Sequence, residues 1–221
     1  MFSGSTSSTP GGRRIELSGQ YIIPSQRVSE WSTLGPSLFA TIDSVEDIHS
    51  FVFRCLGEVA ENRQGVDHLV ASYFLDVHAW FPIVDGATFE RQLEELWVTP
   101  SAETCLVILA MRLITRPSSP NPVAGMADRH YLSIKSILSL VQSKTPLSIP
   151  LLQAQLLVAL YEFSHSMPQQ AYMSVGNCVQ MTRAFGWQTA EFWNRGRHCD
   201  PGPRAMKLCS ILWWAIVYVD W

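Results

Sequence analysis

The chain has 221 residues, of which 47% are hydrophobic and 16% are charged, and its formal net charge at pH 7 is −3. Its length and apolar content suffice for one domain with a buried core plus a tail, and they exclude a chain that is disordered throughout. A small negative net charge attracts no phosphate backbone, so direct DNA contact by this chain is not expected.

Residues 1–42 are rich in Ser, Thr, Gly and Pro and show no sustained hydrophobic period. This composition predicts a disordered tail or flexible linker. A short strand over residues 21–23 is compatible with the pattern, and Pro24 would end it. From residue 43 to residue 221 apolar residues recur three and four positions apart, which predicts a helical domain.

About eight helices are predicted in this second part of the chain. Their apolar stripes and caps place them at residues 44–59, 66–77, 89–97, 102–114, 131–141, 148–163, 168–185 and 204–221. The fourth is nearly all apolar, which is typical of a central helix, and the sixth has an apolar body. Gly186 follows the seventh and suits a left-handed helix end. The proline-rich segment 116–125 predicts a surface loop, and no strand pairs follow residue 43. The expected fold is therefore an all-α, irregular helical bundle.

Metal-ligand and catalytic patterns are not evident in the sequence. The five cysteines are far apart and odd in number, as is typical of reduced thiols inside a cell, and the six histidines lack the closely spaced ligand pairs that structural zinc needs. We therefore expect no metal site, no cofactor and no catalytic residue in this chain. The N-terminus lacks the apolar stretch of a signal peptide, and the longest apolar run, residues 208–219, is too short to cross a bilayer.

One spacing leaves an enzyme open as an alternative. Tyr131 and Lys135 have the Tyr-x-x-x-Lys spacing of short-chain dehydrogenases, in which the lysine lowers the tyrosine pKa. The glycine-rich turn and the alternating strands and helices that accompany this pair in such enzymes are absent from the sequence. The enzyme hypothesis therefore depends on two residues alone.

Three stretches, in order, resemble the fungal-specific transcription factor domain, which is the middle region of fungal regulators with a binuclear zinc cluster. The first is YFLDVHAWFPIVD at residues 73–85, followed by Phe89. The second joins residues 156–161 to AYMSVG at 171–176 and GW at 186–187, and the third is LWWAIVYVD at 212–220. The matching positions, expected to be structural, are Tyr73, Phe74, His78, Phe81, Pro82, Phe89, Gly176, Gly186, Trp213, Trp214 and Asp220.

The sequence departs from the family pattern in several respects, among them Ile211 and Gln180 at positions where the family often has arginine. Ala79 stands where a proline is common, and the chain stops after the Trp-Trp helix, so we expect it to lack the later part of the family domain. The zinc cluster needs six closely spaced cysteines, and residues 1–54 contain none. Zinc and DNA binding are thus implied for the family only.

The resemblance implies a non-catalytic helical module that regulates transcription in a fungus, of a secondary-metabolism or other pathway gene set. It implies a nuclear location, and otherwise an intracellular one. The expected partners are other proteins of the transcription machinery or a second copy of the chain, with a small metabolite as a further ligand and no membrane.

The alternative function is a helical domain that binds a small ligand without direct DNA contact. Its pocket would lie between the aromatic helices, near Phe74, Trp80, Tyr172 and Trp213. If Trp213 is fully buried, replacing it by alanine should cost about 3–5 kcal/mol.

Two surface features are also predicted near the last helix. Large aromatic residues lie on more than one side of it, so apolar surface stays exposed unless the tail or a partner covers it. Basic residues gather around the preceding loop and could contact an acidic partner. They are Arg195, Arg197, His198, Arg204 and Lys207.

Overall fold

The structure is a computed structural model, and it describes residues 45–116, 129–195 and 203–220. Within these ranges the chain forms nine α-helices and no strand, so the all-α prediction is confirmed. The helices are α1 (Val45–Ala60), α2 (Arg63–Asp76), α3 (Gly86–Leu96), α4 (Ala102–Thr115), α5 (Arg129–Lys144), α6 (Ile149–Ser164), α7 (Pro168–Ala184), α8 (Ala190–Arg195) and α9 (Pro203–Asp220). The predicted tail, the strand at 21–23 and most of the loop at 116–125 lie outside the described residues.

Two apolar helices, α4 and α6, form the centre of the bundle, which confirms the central position predicted for α4. Every side chain is buried over residues 104–111 of α4 and residues 151–162 of α6. α4 packs against α1, α2, α3, α5 and α6, and α6 also packs against α5, α7 and α9. A helix that is apolar on all sides needs neighbours on all sides, so the amphipathic helices surround these two.

Polar side chains cap the beginnings of four helices. Each accepts a hydrogen bond from the backbone N–H three residues further along, over 2.9–3.4 Å, and the four are Asn62, Asp85, Ser101 and Ser148. Such a cap satisfies a backbone donor that has no partner within the helix. The Asp85 cap begins α3 at Gly86, three residues before the predicted start at Phe89. Hydrophobic period alone missed this turn because residues 86–88 include no large apolar side chain.

Helix α8 is the element that the sequence pattern does not predict. It has six residues, too few for a hydrophobic period to appear. The hydroxyl of Thr189 accepts a hydrogen bond from the Phe192 backbone N–H at 3.3 Å. The indole N–H of Trp193 donates to the Trp187 carbonyl oxygen at 2.6 Å. These local bonds attach α8 to the end of α7.

The end of α7 has the left-handed conformation predicted for Gly186, with φ at +76°. The Gly186 N–H donates to the Arg183 carbonyl at 2.9 Å, and the Trp187 N–H donates to the Thr182 carbonyl at 3.0 Å. This pair of bonds defines a Schellman C-cap. The turn directs Trp187 into the core, where it is 2% exposed.

Candidate functional site

The first family motif forms an aromatic cluster between the end of α2 and α3. Tyr73 is fully buried, and its hydroxyl donates to the carbonyl oxygen of buried Phe81 at 3.4 Å. The Phe74 ring centroid lies 4.7 Å from that of His78 and 6.5 Å from that of buried Phe89. Five of the predicted motif residues thus contact one another and hold the turn at residues 77–85 against the bundle.

His78 contributes an imidazole to this cluster. Its Nδ1 atom is buried and has no hydrogen-bond partner among the described residues. Burial lowers the pKa of His78, and the nearby negative charge of Asp85 opposes this effect in part. The environment therefore favours the neutral imidazole.

An apolar groove of about 780 Å³ lies between the turn that follows α2 and one face of α9. We call it the α9 groove, and its lining residues are Trp80, Phe81, Pro82, Ile83, Ser210, Ile211, Trp214, Ala215, Val217 and Tyr218. The lining contains no charged side chain. Three large aromatic side chains remain open to solvent beside it, since Trp80, Trp214 and Tyr218 are 57%, 66% and 73% exposed.

The wall of the groove opposite α9 is held by local bonds. The indole N–H of Trp80 donates to the Asp76 carbonyl at 2.9 Å, and the Phe81 N–H donates to the Val77 carbonyl at 2.9 Å. Ile83 is fully buried, and its carbonyl oxygen accepts a bond of 2.8 Å from the buried amide of Gln153 on α6. This wall is therefore anchored to the central helix.

The third motif supplies the other wall, and it differs from the sequence-based expectation in one respect. Trp214 lines the groove, whereas the adjacent Trp213 is half-buried and does not. Successive helical residues point about 100° apart, so one tryptophan of the pair faces the groove and the other turns away. Of the four residues predicted to line a ligand pocket, the groove contains Trp80, but neither Trp213 nor Phe74 nor Tyr172. Asp220 ends α9, and its side chain is outside the described residues.

The second motif places its two glycines in different settings. Gly186 has the left-handed conformation described above. Gly176 lies mid-helix on the exposed side of α7, and a Cβ atom added there would meet no described atom within 4 Å. No described neighbour therefore requires a glycine at this position.

Tyr131 and Lys135 belong to a buried polar cluster that ties α5 to α6 and α7. The Tyr131 hydroxyl donates to Glu162 Oε1 at 2.6 Å, and Lys135 Nζ donates to the same oxygen at 2.5 Å. Lys135 also donates to Ser174 Oγ at 2.5 Å. Burial and the bond to Glu162 raise the pKa of Tyr131, which is the opposite of the lowering that a tyrosine base requires.

Sequence reasoning missed Glu162 and several residues of the groove. Glu162 is the lone charged residue of α6, and a single charge in an apolar helix is a signal that it needs a partner. Ile211, Trp214 and Tyr218 are three and four residues apart, so the sequence already places them on one face of the last helix. What the pattern could not show is which segment of the chain faces them.

The part of the chain that the structure describes holds neither a cluster of metal ligands nor a helix suited to cross a membrane. There, no three His, Cys, Asp or Glu side chains come together as a metal site would require. The four described cysteines are free and buried, and burial raises the pKa of Cys55 and of Cys105 to about 12. None of the described helices combines the length and apolarity that a bilayer crossing demands.

Comparison with known proteins gives two matches. The sequence model of a family described as "Fungal specific transcription factor domain" matches residues 70–221. Transcription factor BOA15 of Botryotinia fuckeliana (strain B05.10) is 29% identical over 132 residues, which cover 58% of this chain and 71% of that protein. No solved structure matches the chain. The family match includes all three motifs and both walls of the α9 groove, and the chain therefore belongs to the fungal specific transcription factor domain family.

Proposed function

We propose that this chain regulates transcription in a fungus, of a secondary-metabolism or other pathway gene set, as a non-catalytic helical module in the nucleus. It acts through contacts with other proteins. The observation that carries this proposal is the family match over residues 70–221, within which the first and third motifs form the walls of an exposed apolar groove.

The aromatic content of the groove supports protein contact as the mode of action. Exposed apolar patches on soluble proteins mark interaction sites, and tryptophan and tyrosine are enriched among the residues that dominate binding energy. Trp80, Trp214 and Tyr218 are exposed at the α9 groove although burial would be favourable for side chains of this size. A partner that covers them gains this free energy.

A non-catalytic role is supported by the state of the Tyr131–Lys135 pair. Both polar groups are engaged by Glu162 inside the bundle, and the tyrosine pKa is shifted away from use as a base. The pair has a sufficient explanation as a link between helices, so no reaction is needed to account for its spacing.

The proposal is tested by transcript profiling in a fungal strain that carries the chain. Removal of residues 70–221 is expected to change the transcripts of a defined gene set. Trp214→Ala should reproduce most of that change, since it removes the largest exposed side chain of the α9 wall. Tyr172→Ala is the matched control, because Tyr172 is an aromatic residue on α7 that is 76% exposed and does not line the groove. Unchanged transcripts after the deletion would contradict the proposal.

A second candidate function, the binding of a small metabolite, is favoured by the size of the groove. Its volume of about 780 Å³ falls within the range of roughly 300–1,000 Å³ that is usual for small-molecule sites. A ligand there should quench tryptophan fluorescence and raise the melting temperature. Both effects should disappear in Trp80→Ala and persist in Tyr172→Ala, and a metabolite screen that moves neither signal would argue against this function.

A further inference from the structure

One face of α9 is basic over its first turns and aromatic over its last turns. The residues of this face are Arg204, Lys207, Ile211, Trp214 and Tyr218, which are three, four, three and four positions apart. This spacing places them on one side of the helix. The two basic side chains are exposed, as are Trp214 and Tyr218. With a rise of 1.5 Å per residue, the face is about 21 Å long.

The α9 groove runs along the aromatic half of this face. Ile211, Trp214 and Tyr218 line the groove, and the turn at residues 80–83 closes its opposite side. A partner that lies lengthwise on α9 therefore meets apolar surface at one end and positive charge at the other.

The basic half of this face has one acidic neighbour that the structure describes, Asp85. Arg204 lies near Asp85, whose carboxylate already accepts bonds from the backbone and hydroxyl of Thr88. Asp85 offsets part of the Arg204 charge. Lys207 has no acidic partner in the described part of the chain, so its charge is available to a ligand.

We propose that the basic and aromatic face of α9 binds an amphipathic segment of a partner protein, with apolar residues in the groove and acidic residues against Arg204 and Lys207. The inference rests on the proposed function and names the chemistry of the protein that would be contacted. An apolar helix face in a hydrophobic groove is a common mode of peptide recognition, and complementary charges set its direction and speed of association.

Charge complementarity favours this partner over a second copy of the chain. The charged side chains that the structure describes on this face are both basic, so the same face of a second α9 supplies no carboxylate to them. A segment with acidic residues in one half and apolar residues in the other complements both the basic and the aromatic end of the face. A two-fold pairing through α9 is the competing outcome of the test.

The test uses the full chain and labelled helical peptides of about 16 residues, long enough to span the face. Every peptide carries leucines three and four positions apart in one half and either four glutamates or four lysines in the other half. The peptides form two pairs, each of one glutamate peptide and one lysine peptide. The charged residues are at the N-terminal end in the first pair and at the C-terminal end in the second, so that both binding directions are tested. Binding is followed by fluorescence anisotropy from about 50 to about 300 mM NaCl, a range over which exposed charges become screened.

In at least one pair, the glutamate peptide is expected to bind about tenfold more tightly than the lysine peptide at low salt, and the difference should shrink as salt rises. The double variant Arg204→Glu with Lys207→Glu should reverse the preference. Trp214→Ala should weaken both peptides. The control variant, Arg129→Glu with Lys144→Glu, reverses the charge of two exposed basic residues on α5. It should leave the preference for the glutamate peptide unchanged.

Three results would overturn the proposal: no binding, equal binding of the glutamate and lysine peptides, or a chain that sedimentation shows to be a dimer dissociated by Trp214→Ala and not by peptide. All variants are first compared by circular dichroism and melting temperature. Transcript profiling separates this inference from the proposed function. If Trp214→Ala changes transcripts while the peptides show no charge preference, the proposed function stands and the acidic partner is wrong.

Discussion

Replacing Lys135 by methionine tests the buried polar cluster that joins α5 to α6 and α7. Glu162 is fully buried, and its Oε1 atom accepts bonds from Lys135 and from Tyr131 while Oε2 has no partner among the described residues. Methionine preserves the apolar stem of lysine and removes its charge. The Glu162 carboxylate then stays buried with one hydroxyl donor.

The expected loss follows from the cost of an uncompensated buried charge. Removing one partner of a buried ion pair costs about 3–5 kcal/mol, and the lower end applies here because the Lys135 side chain is 31% exposed. For a domain of this size, each kcal/mol lowers the melting temperature by about 2–4 °C. A decrease of about 6–12 °C is therefore expected at neutral pH.

A double-mutant cycle separates the ion pair from general packing. Glu162→Gln keeps an acceptor for Tyr131 and leaves Lys135 free to extend into water, so we expect a cost of about 1–3 kcal/mol. In the variant with both substitutions neither position is charged. Its loss in free energy of unfolding should therefore be smaller than the sum of the two single losses. Urea unfolding followed by circular dichroism measures all four free energies. A loss below about 1 kcal/mol for Lys135→Met would refute the assignment of Lys135 and Glu162 as a stabilising ion pair. So would single-variant losses that add up to the loss of the double variant within about 0.5 kcal/mol.

Four further variants test other features of the structure. Gly186→Ala should lower the free energy of unfolding by about 1–2 kcal/mol because φ is +76°. Gly176→Ala, mid-helix with open space, should raise it by about 0.5–1 kcal/mol. A higher melting temperature for the first variant, or a lower one for the second, would contradict the corresponding prediction. His78 has a lowered pKa in the folded chain, so the unfolded chain binds a proton first as the pH falls, and stability should decrease below pH about 6.5. His78→Asn should flatten this dependence, and urea unfolding at pH 7.5 and 5.5 measures it. Trp213→Ala should cost less than the 3–5 kcal/mol expected for a buried tryptophan, because Trp213 is half-buried, and an equal loss on chemical unfolding would show that it is core.

The helices of this chain could be predicted because hydrophobic period, caps and C-terminal glycines are local properties. The stripe of α1 and the apolar runs of α4 and α6 are apparent within windows of about 15 residues. The left-handed end at Gly186 follows from a glycine after an apolar helix. Helix α8 could not be predicted, because a six-residue helix has no period and depends on bonds to Thr189 and Trp187.

The polar cluster shows why spacing alone misassigns a residue pair. Tyr131 and Lys135 are one helical turn apart, and sequence offers a dehydrogenase-like interpretation of that distance. Their shared acceptor, Glu162, lies 27 residues beyond Lys135, and Ser174 lies 39 residues beyond it. Only the packing of α5 against α6 brings these groups together, and burial then raises the tyrosine pKa that catalysis would need to be low.

The amino-acid sequence by itself determined the all-α class, the central position of α4, and membership of the family through three ordered motifs. These properties depend on residues that are close in the chain or on their order along it. Only the tertiary structure decided that Trp214, and not Trp213, lines a groove with residues 80–83, and that Glu162 holds the Tyr131–Lys135 pair. The physical reason is that helix packing brings distant segments within a few ångströms of each other. This packing depends on the whole core, so no single stretch of the chain predicts it.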